Sequence, residues 1–183
     1  MVAEAAGEGQ VPLVQLGDAR QLLFEDETFD CIITSPPYLN NIDYSKVYGL
    51  ELSLLYLNEA TSRQVRSKLV RSFITKKSSA ADYTPPEVAD VAARLPIAGE
   101  FFADMEQVLK EMQRVLQPGG SAYVVISNSV VYNEHIVADE ILGAMGERLG
   151  MEAEIAIGAY RTADVKPQRV QTRESVVILR KPQ

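Results

Sequence analysis

Cysteine and histidine each occur once in the 183 residues, as Cys31 and His135. A single cysteine excludes an internal disulfide and any cysteine-rich zinc site. A lone histidine leaves no basis for a histidine-built metal centre, so no metal is expected. His135 reads as the opening of a helix, at the surface or capping. No apolar run approaches the roughly 20 residues that a membrane-spanning helix needs. The first ten residues, Met1 to Gln10, are rich in Ala, Glu and Gly and read as flexible. They lack the basic start and apolar stretch of a secretory signal, so a cytoplasmic location is expected. Net positive charge is also missing. The formal charge is −7, which argues against a general nucleic-acid coat protein but not against an enzyme with a local basic face.

Such a face is present in the sequence. Between Thr61 and Lys77 stand Arg63, Arg66, Lys68, Arg71, Lys76 and Lys77 with no acid among them. A solvated helix face with a basic loop accounts for this stretch as well as a phosphate-contacting surface does. The chain is 46% hydrophobic, enough for one domain with a substantial core. Strand-like and helix-like runs alternate, the pattern of an α/β fold. Val11–Leu16 and Phe29–Thr34 read as strands, and Cys31 inside the second reads as a core residue. Val47–Asn58 has helical spacing. Arg71 to Pro96 reads as a long loop with one helical turn. An amphipathic helix is predicted over Glu100–Leu116, stopped by Pro118-Gly119-Gly120. A strand over Ser121–Ser127 and a helix over Glu134–Leu149 follow. Met151–Tyr160 and Glu174–Arg180 read as final strands. Their connection, which holds Arg161, Lys166, Arg169 and Arg173, is too short for a helical crossover, so they should be antiparallel. No repeat or low-complexity tract is present.

The densest chemical signal is Thr34-Ser35-Pro36-Pro37-Tyr38 directly after a strand. Ligands of open α/β sheets bind at the carboxyl ends of strands. Two consecutive prolines remove two backbone donors. What remains are acceptors, the Ser35 hydroxyl oxygen and the backbone carbonyls, and these suit a substrate presenting an –NH₂ group. Tyr38 offers a face on which a planar ring can stack. An exocyclic base amine is a poor nucleophile because its lone pair is delocalised into the ring. Acceptors gripping its hydrogens free that lone pair to attack a sulfonium methyl and stabilise the charge that develops on nitrogen. A base reaches such a pocket only by flipping out of the duplex, which a stacking aromatic supports.

This segment resembles motif IV of the DNA amino-methyltransferases, (Asp/Asn/Ser)-Pro-Pro-(Tyr/Phe). The serine form preceded by threonine most resembles the N4-cytosine enzymes. The continuation Leu39-Asn40-Asn41-Ile42-Asp43-Tyr44, leading into Tyr48-Gly49-Leu50-Glu51-Leu52, resembles a bacterial and archaeal branch of that superfamily. The resemblance implies a class I S-adenosylmethionine-dependent methyltransferase fold, a Rossmann-like three-layer α/β sandwich with an antiparallel final strand. It implies transfer of a methyl group to the exocyclic amine of a base in double-stranded DNA, with N4-cytosine favoured over N6-adenine, in a restriction-modification setting. Ser35, Pro36, Pro37 and Tyr38 would form the base pocket. Asn40, Asn41, Asp43 and Tyr44 would lie on its rim, and Arg63, Arg66 and Arg71 would approach the DNA backbone. Asp18, within Gly17-Asp18-Ala19, would accept a hydrogen bond from the cofactor adenine, although Gly-Asp after a strand is also an ordinary helix cap. Val115-Leu116-Gln117-Pro118-Gly119-Gly120-Ser121 resembles the helix, turn and fifth strand of many class I methyltransferases. Ser127-Asn128-Ser129, at that strand's end, would line the site. No Pro-Cys pair occurs, which argues against a cytosine-C5 mechanism.

The glycine-rich loop that holds the methionine end of the cofactor in this family is not found, nor is the acid that binds its ribose. The resemblance covers most of Val11 to Lys181, about two-thirds of a full catalytic domain. The chain is therefore expected to be one partial catalytic domain over residues 1–183, with an incomplete sheet whose Gly-Asp strand has no neighbour or pairs somewhere new. A partner chain or a second copy would complete it, and cofactor would not bind tightly to the chain alone. Two alternatives stand beside this reading. One is an RNA or tRNA base methyltransferase, which usually carries Asn or Asp before Pro-Pro. The other is a catalytically silent subunit that binds nucleic acid.

Overall fold

The computed structural model describes residues 12–39, 54, 70–72, 82–165 and 168–183. Strand β1 spans Phe29–Thr34. A 3-10 turn at Pro86–Val88 and a short helix α1, Ala89–Arg94, precede the long helix α2, Pro96–Val115. Strand β2 covers Leu116–Ser127, and a small hairpin follows from β3 (Ser129–Val131) and β4 (Glu134–Ile136). Helix α3, Ala138–Arg148, leads into β5, Glu152–Val165, and β6, Gln168–Arg180.

The sheet order is β1-β2-β6-β5. β1 runs parallel to β2, whereas β6 is antiparallel to both β2 and β5. The antiparallel end follows from the chain, because the β5–β6 connection cannot hold a crossover. Alternation along the paired strands sends Ile32, Ala122, Val124, Ile126, Val177 and Leu179 to one face. There they meet Phe101, Met105 and Leu109 of α2 and Leu142 and Met145 of α3 in one apolar core. The apolar residues of α2 recur every three and four positions, so burying that stripe drives the docking. α2 begins at a proline, whose fixed φ and missing N–H suit the first helical turn.

The structure corrects several sequence expectations. Residues 12–17 form no strand, and Leu13, Val14 and Leu16 are exposed. A lone apolar run cannot satisfy its own backbone, and no described strand lies beside it. Cys31 is exposed rather than buried. It alternates with Ile32 and so points to the opposite face of β1, where Ile33 is 78% exposed. Neither α2 nor α3 covers that face. His135 lies exposed on β4, and α3 starts only at Ala138. Tyr132 and Asn133 both take positive φ in the tight turn that makes this unforeseen hairpin. The segment read as a loop before Pro96 contains α1. The helix ending ascribed to Pro118-Gly119-Gly120 comes earlier, because Leu116 is already extended. The Pro-Gly-Gly turn instead forms a bulge in β2, and the pairing jumps from Phe29↔Leu116 to Cys31↔Ser121. A Cβ at Gly120 would lie 3.0 Å from the Asp30 carbonyl oxygen and 2.9 Å from that of Gln117, so glycine is required there.

Gly146 of α3 serves close packing. A Cβ there would stand 2.5 Å from Cδ2 of the fully buried Leu179. Overpacking costs about 1–3 kcal/mol, and the better helix preference of alanine returns about 1 kcal/mol of it. Gly146→Ala is expected to lower the thermal midpoint; an unchanged or higher midpoint would show that Leu179 can move aside.

Glu106 ties the helical layer together. Its carboxylate accepts from Lys110 Nζ (2.6 Å), Arg148 Nη2 (3.0 Å) and Tyr83 Oη (2.8 Å). Burial alone would raise its pKa, but the bonds from Lys110, Arg148 and Tyr83 outweigh that and hold it at about 2, against an ordinary 4.5. A lowered folded-state pKa stabilises the fold above the unfolded value, and that contribution is lost as pH falls through 4.5 toward about 2. Urea denaturation of Glu106→Gln should therefore give a stability curve that is shallower than wild type between roughly pH 5 and 3. Parallel curves would assign the acid sensitivity to other carboxylates.

Candidate functional site

The turn after β1 is built from the core outward. Leu39 is 1% exposed and belongs to the main apolar cluster, so it pins the far end of Ser35-Pro36-Pro37-Tyr38. Thr34 pairs with Val124 of β2, which fixes the near end. Between these anchors Ser35 is exposed, while Pro36, Pro37 and Tyr38 are half-buried. Pro36 and Pro37 carry no N–H, so this stretch is poorer in donors than in acceptors. Tyr38 packs against the core and donates its hydroxyl to Glu174 Oε1 at 2.7 Å. Glu174 lies on β6 opposite Ser127 and uses its other oxygen to accept from Arg161 Nη2 at 2.6 Å. The Tyr38 ring is thus oriented from a strand 136 residues away.

The carboxyl end of β2 adds Ser127 and Asn128. Asn128 is buried, and its Oδ1 accepts from the Asp139 backbone N–H at 3.2 Å. Asp139, fully buried in the first turn of α3, accepts from Arg173 Nε (2.7 Å) and Ser175 Oγ (2.7 Å). Burial would push its carboxyl up, but hydrogen bonds from Arg173 and Ser175 hold it below the usual carboxylate range. Arg173 also reaches Glu140 at 2.6 Å. This network locks the start of α3 to β6 beside the Ser35–Tyr38 turn. Asn128, His135, Glu140, Tyr160, Gln171 and Arg173 are among the residues lining a cleft of about 220 Å³ next to it.

Gly17, Asp18 and Ala19 are exposed. Asp18 accepts from the Arg20 backbone N–H and from Arg20 Nε and Nη2, at 2.8 to 3.0 Å. Those bonds lower its pKa. Arg20 also approaches Asp104, and the chain beyond it is clipped to α2: Leu22 N–H donates to Glu111, and Arg114 donates to the Phe24 carbonyl and to Asp26. Arg71 gives its guanidinium to Asp104 through Nε (3.1 Å) and Nη2 (2.8 Å). Asn40, Asn41, Asp43, Tyr44, Arg63 and Arg66 lie outside the described residues.

Sequence reasoning missed Glu174, Asp139 and Arg161. No local pattern marks them, since each acquires its partner only when β6 inserts between β2 and β5. The one available signal was the length of the polar, arginine-bearing connection, read as a loop but folded as strand on both sides.

The comparisons agree with this architecture. The type II methyltransferase M.AvaI of Nostoc sp. is 27% identical over 156 residues, covering 72% of this chain and 32% of that enzyme. M.BsoBI of Geobacillus stearothermophilus is 43% identical over 53 residues, covering 29% of this chain and 10% of that enzyme. The chain thus spans about a third of the length of the M.AvaI enzyme. A Thermus thermophilus protein described as a candidate DNA modification methylase, solved in complex with S-adenosyl-L-methionine, superimposes with a TM-score of 0.51 at 18% identity. That match covers 92% of this chain and 54% of the other, and it supports the fold. A family model described as DNA methylase matches residues 29–168, from the first residue of β1 to the first of β6, and by that match the chain belongs to the N6/N4 DNA methylase family.

Proposed function

We propose that this chain is the target-base half of a DNA amino-methyltransferase, with the exocyclic amine of cytosine, N4, as the favoured acceptor. The observation that carries the reading is the Ser-Pro-Pro turn at the end of β1, lacking the N–H donors of Pro36 and Pro37 and flanked by an aromatic ring that Glu174 holds in place. Ser35 Oγ and the Pro36 carbonyl would accept the two amine hydrogens and draw electron density onto the nitrogen. Tyr38 would stack on the flipped ring, its hydroxyl already engaged and so not competing for the amine. As the nitrogen gains positive charge, the same oxygens would stabilise it.

S-adenosylmethionine is the methyl donor in this reading. The described residues do not by themselves make a cradle for it. Asp18 is occupied by Arg20, Gly17 faces open space, and Gly119 and Gly120 are used in the β1–β2 bulge and its contact with the chain end. The cofactor would therefore be held by a polypeptide segment other than those described. We place that segment along the free side of β1, where backbone groups on the side away from β2 lack a described partner and where Cys31 and Ile33 are uncovered. This chain spans 32% of the length of M.AvaI, so in this reading the occupant would be a further stretch of methyltransferase sequence.

Radiolabelled methyl transfer to unmethylated duplex DNA tests the reading, with the chain alone and with any neighbouring gene product that carries a glycine-rich loop. Incorporation that requires Ser35 and yields N4-methylcytosine on digestion is expected. Absence of incorporation in both arms would overturn it, and N6-methyladenine would correct the acceptor.

A further inference from the structure

β5 and β6 outlast the sheet they belong to. β2 pairs with β6 only from Ser121↔Arg180 to Ser127↔Glu174. Beyond that point β5 and β6 pair with each other and with no other described strand, from Tyr160↔Arg173 to Val165↔Gln168, and at the root the Asn128 N–H donates to the Arg173 carbonyl. These six further pairs make a two-stranded ribbon that projects past the carboxyl end of the sheet by roughly 20 Å at ~3.4 Å per residue. It leaves the sheet at the end that carries the Ser35–Tyr38 turn.

The ribbon's composition is unlike that of the chain. Residues 159–165 and 168–173 hold Arg161, Arg169 and Arg173 against the single acid Asp164, within a protein of net charge −7. Arg173 is committed to Asp139 at the root. Arg161 is 65% exposed and its pair with Glu174 is a surface one, which is weak enough to be exchanged for a phosphate. Pairing puts Tyr160, Gln171 and Arg169 on the same face, the face that opens into the cleft lined by Asn128 and His135. Tyr160 and Gln171 are exposed there.

We propose that the paired residues 159–165 and 168–173 form the arm that seats the duplex flanking the target base, with Arg161 and Arg169 on its phosphates and Tyr160 and Gln171 facing the groove. This rests on the base-gripping reading of the Ser35–Tyr38 turn. The dimensions fit, since the major groove, about 12 Å wide and ~8.5 Å deep, admits a two-stranded ribbon. The arm and the pocket are joined by a direct path: Glu174 binds Arg161 with one oxygen and Tyr38 with the other. Cationic residues on such an arm would set affinity and register, and the polar ones on its groove face would read base edges.

Fluorescence anisotropy of a labelled duplex, titrated with the full chain from low to moderate salt, tests the arm. Each phosphate contact contributes about 0.9 to the slope of log K against log salt. Arg161→Gln with Arg169→Gln should therefore flatten the slope by about two units and weaken binding tenfold or more at ~0.1 M salt. Arg180→Gln, an exposed cation at the other end of β6 paired with Glu154, should leave the slope unchanged. Matching thermal melts for the variants would confirm that the fold is intact. A wild-type slope in the double variant, with wild-type chain still binding duplex, would overturn the arm and leave the base pocket standing. Failure of the wild-type chain to bind duplex DNA in this titration would overturn both.

Discussion

Asp139→Ala is expected to cost about 3 kcal/mol of folding free energy, the largest single loss that the described structure predicts. The carboxylate is fully buried and gathers the Arg173 guanidinium, the Ser175 hydroxyl and the Glu140 backbone N–H. Removing one member of a buried charged pair typically costs about 3–5 kcal/mol, because the survivor stays desolvated without its partner. The lower end applies here, since Arg173 is a quarter exposed and keeps Glu140. Ser175, by contrast, is 1% exposed and would lose the carboxylate that its hydroxyl bonds. Urea denaturation should show a lower midpoint at constant slope. A shift below about 0.5 kcal/mol would mean that solvent reaches Arg173 and Ser175 in the variant. The pH dependence has a definite sign. The folded-state pKa of Asp139 is lowered, so its contribution is present at neutral pH and is lost on acidification below the ordinary carboxylate range.

Ser35→Ala is expected to leave stability nearly unchanged and to reduce methyl transfer by about 10²–10³-fold in the assembled enzyme. The side chain is exposed, and the loop is anchored by Leu39 and Thr34 rather than by the serine. A group that stabilises charge only as the reaction proceeds shows its loss in kcat more than in KM. Duplex binding, attributed here to the arm, should survive the substitution. A variant with equal activity would move the amine-gripping role to the backbone carbonyls alone. A variant that loses duplex binding in proportion to activity would make Ser35 a ground-state contact.

These two residues also mark how far sequence reasoning reaches. The strand that leads into Ser35 was legible because its surroundings are local: three apolar residues, two prolines and an aromatic follow one another, and each constrains the next. The amphipathic stripe of α2 and the antiparallel final strands were legible for the same reason, since periodicity and connection length are properties of short windows. Asp139 was not legible. It looks like a surface residue near the start of a helix, and only the approach of Arg173, 34 positions later, turns it into a buried anchor. The run over residues 12–16 failed in the opposite sense. Its apolar composition suggested a strand, but a strand exists only with a neighbour. Cys31 failed because a strand inside an apolar run was assumed to be covered on both faces, and the described helices cover one.

Among the described residues β1 pairs on a single side, with β2, whereas β6 is paired on both. The two strands therefore differ in how much must break before they open. Releasing β1 severs one ladder, while releasing β6 dismantles the centre of the sheet. Native-state opening follows such differences, and edge elements exchange their amides through smaller, cheaper fluctuations than central ones. The Ser-Pro-Pro turn hangs from an edge strand of the described sheet, and the aspartate-bound root of the ribbon from a central one. A segment laid along the free side of β1 would thus do more than fill the sheet: it would slow the opening of the strand that presents the turn.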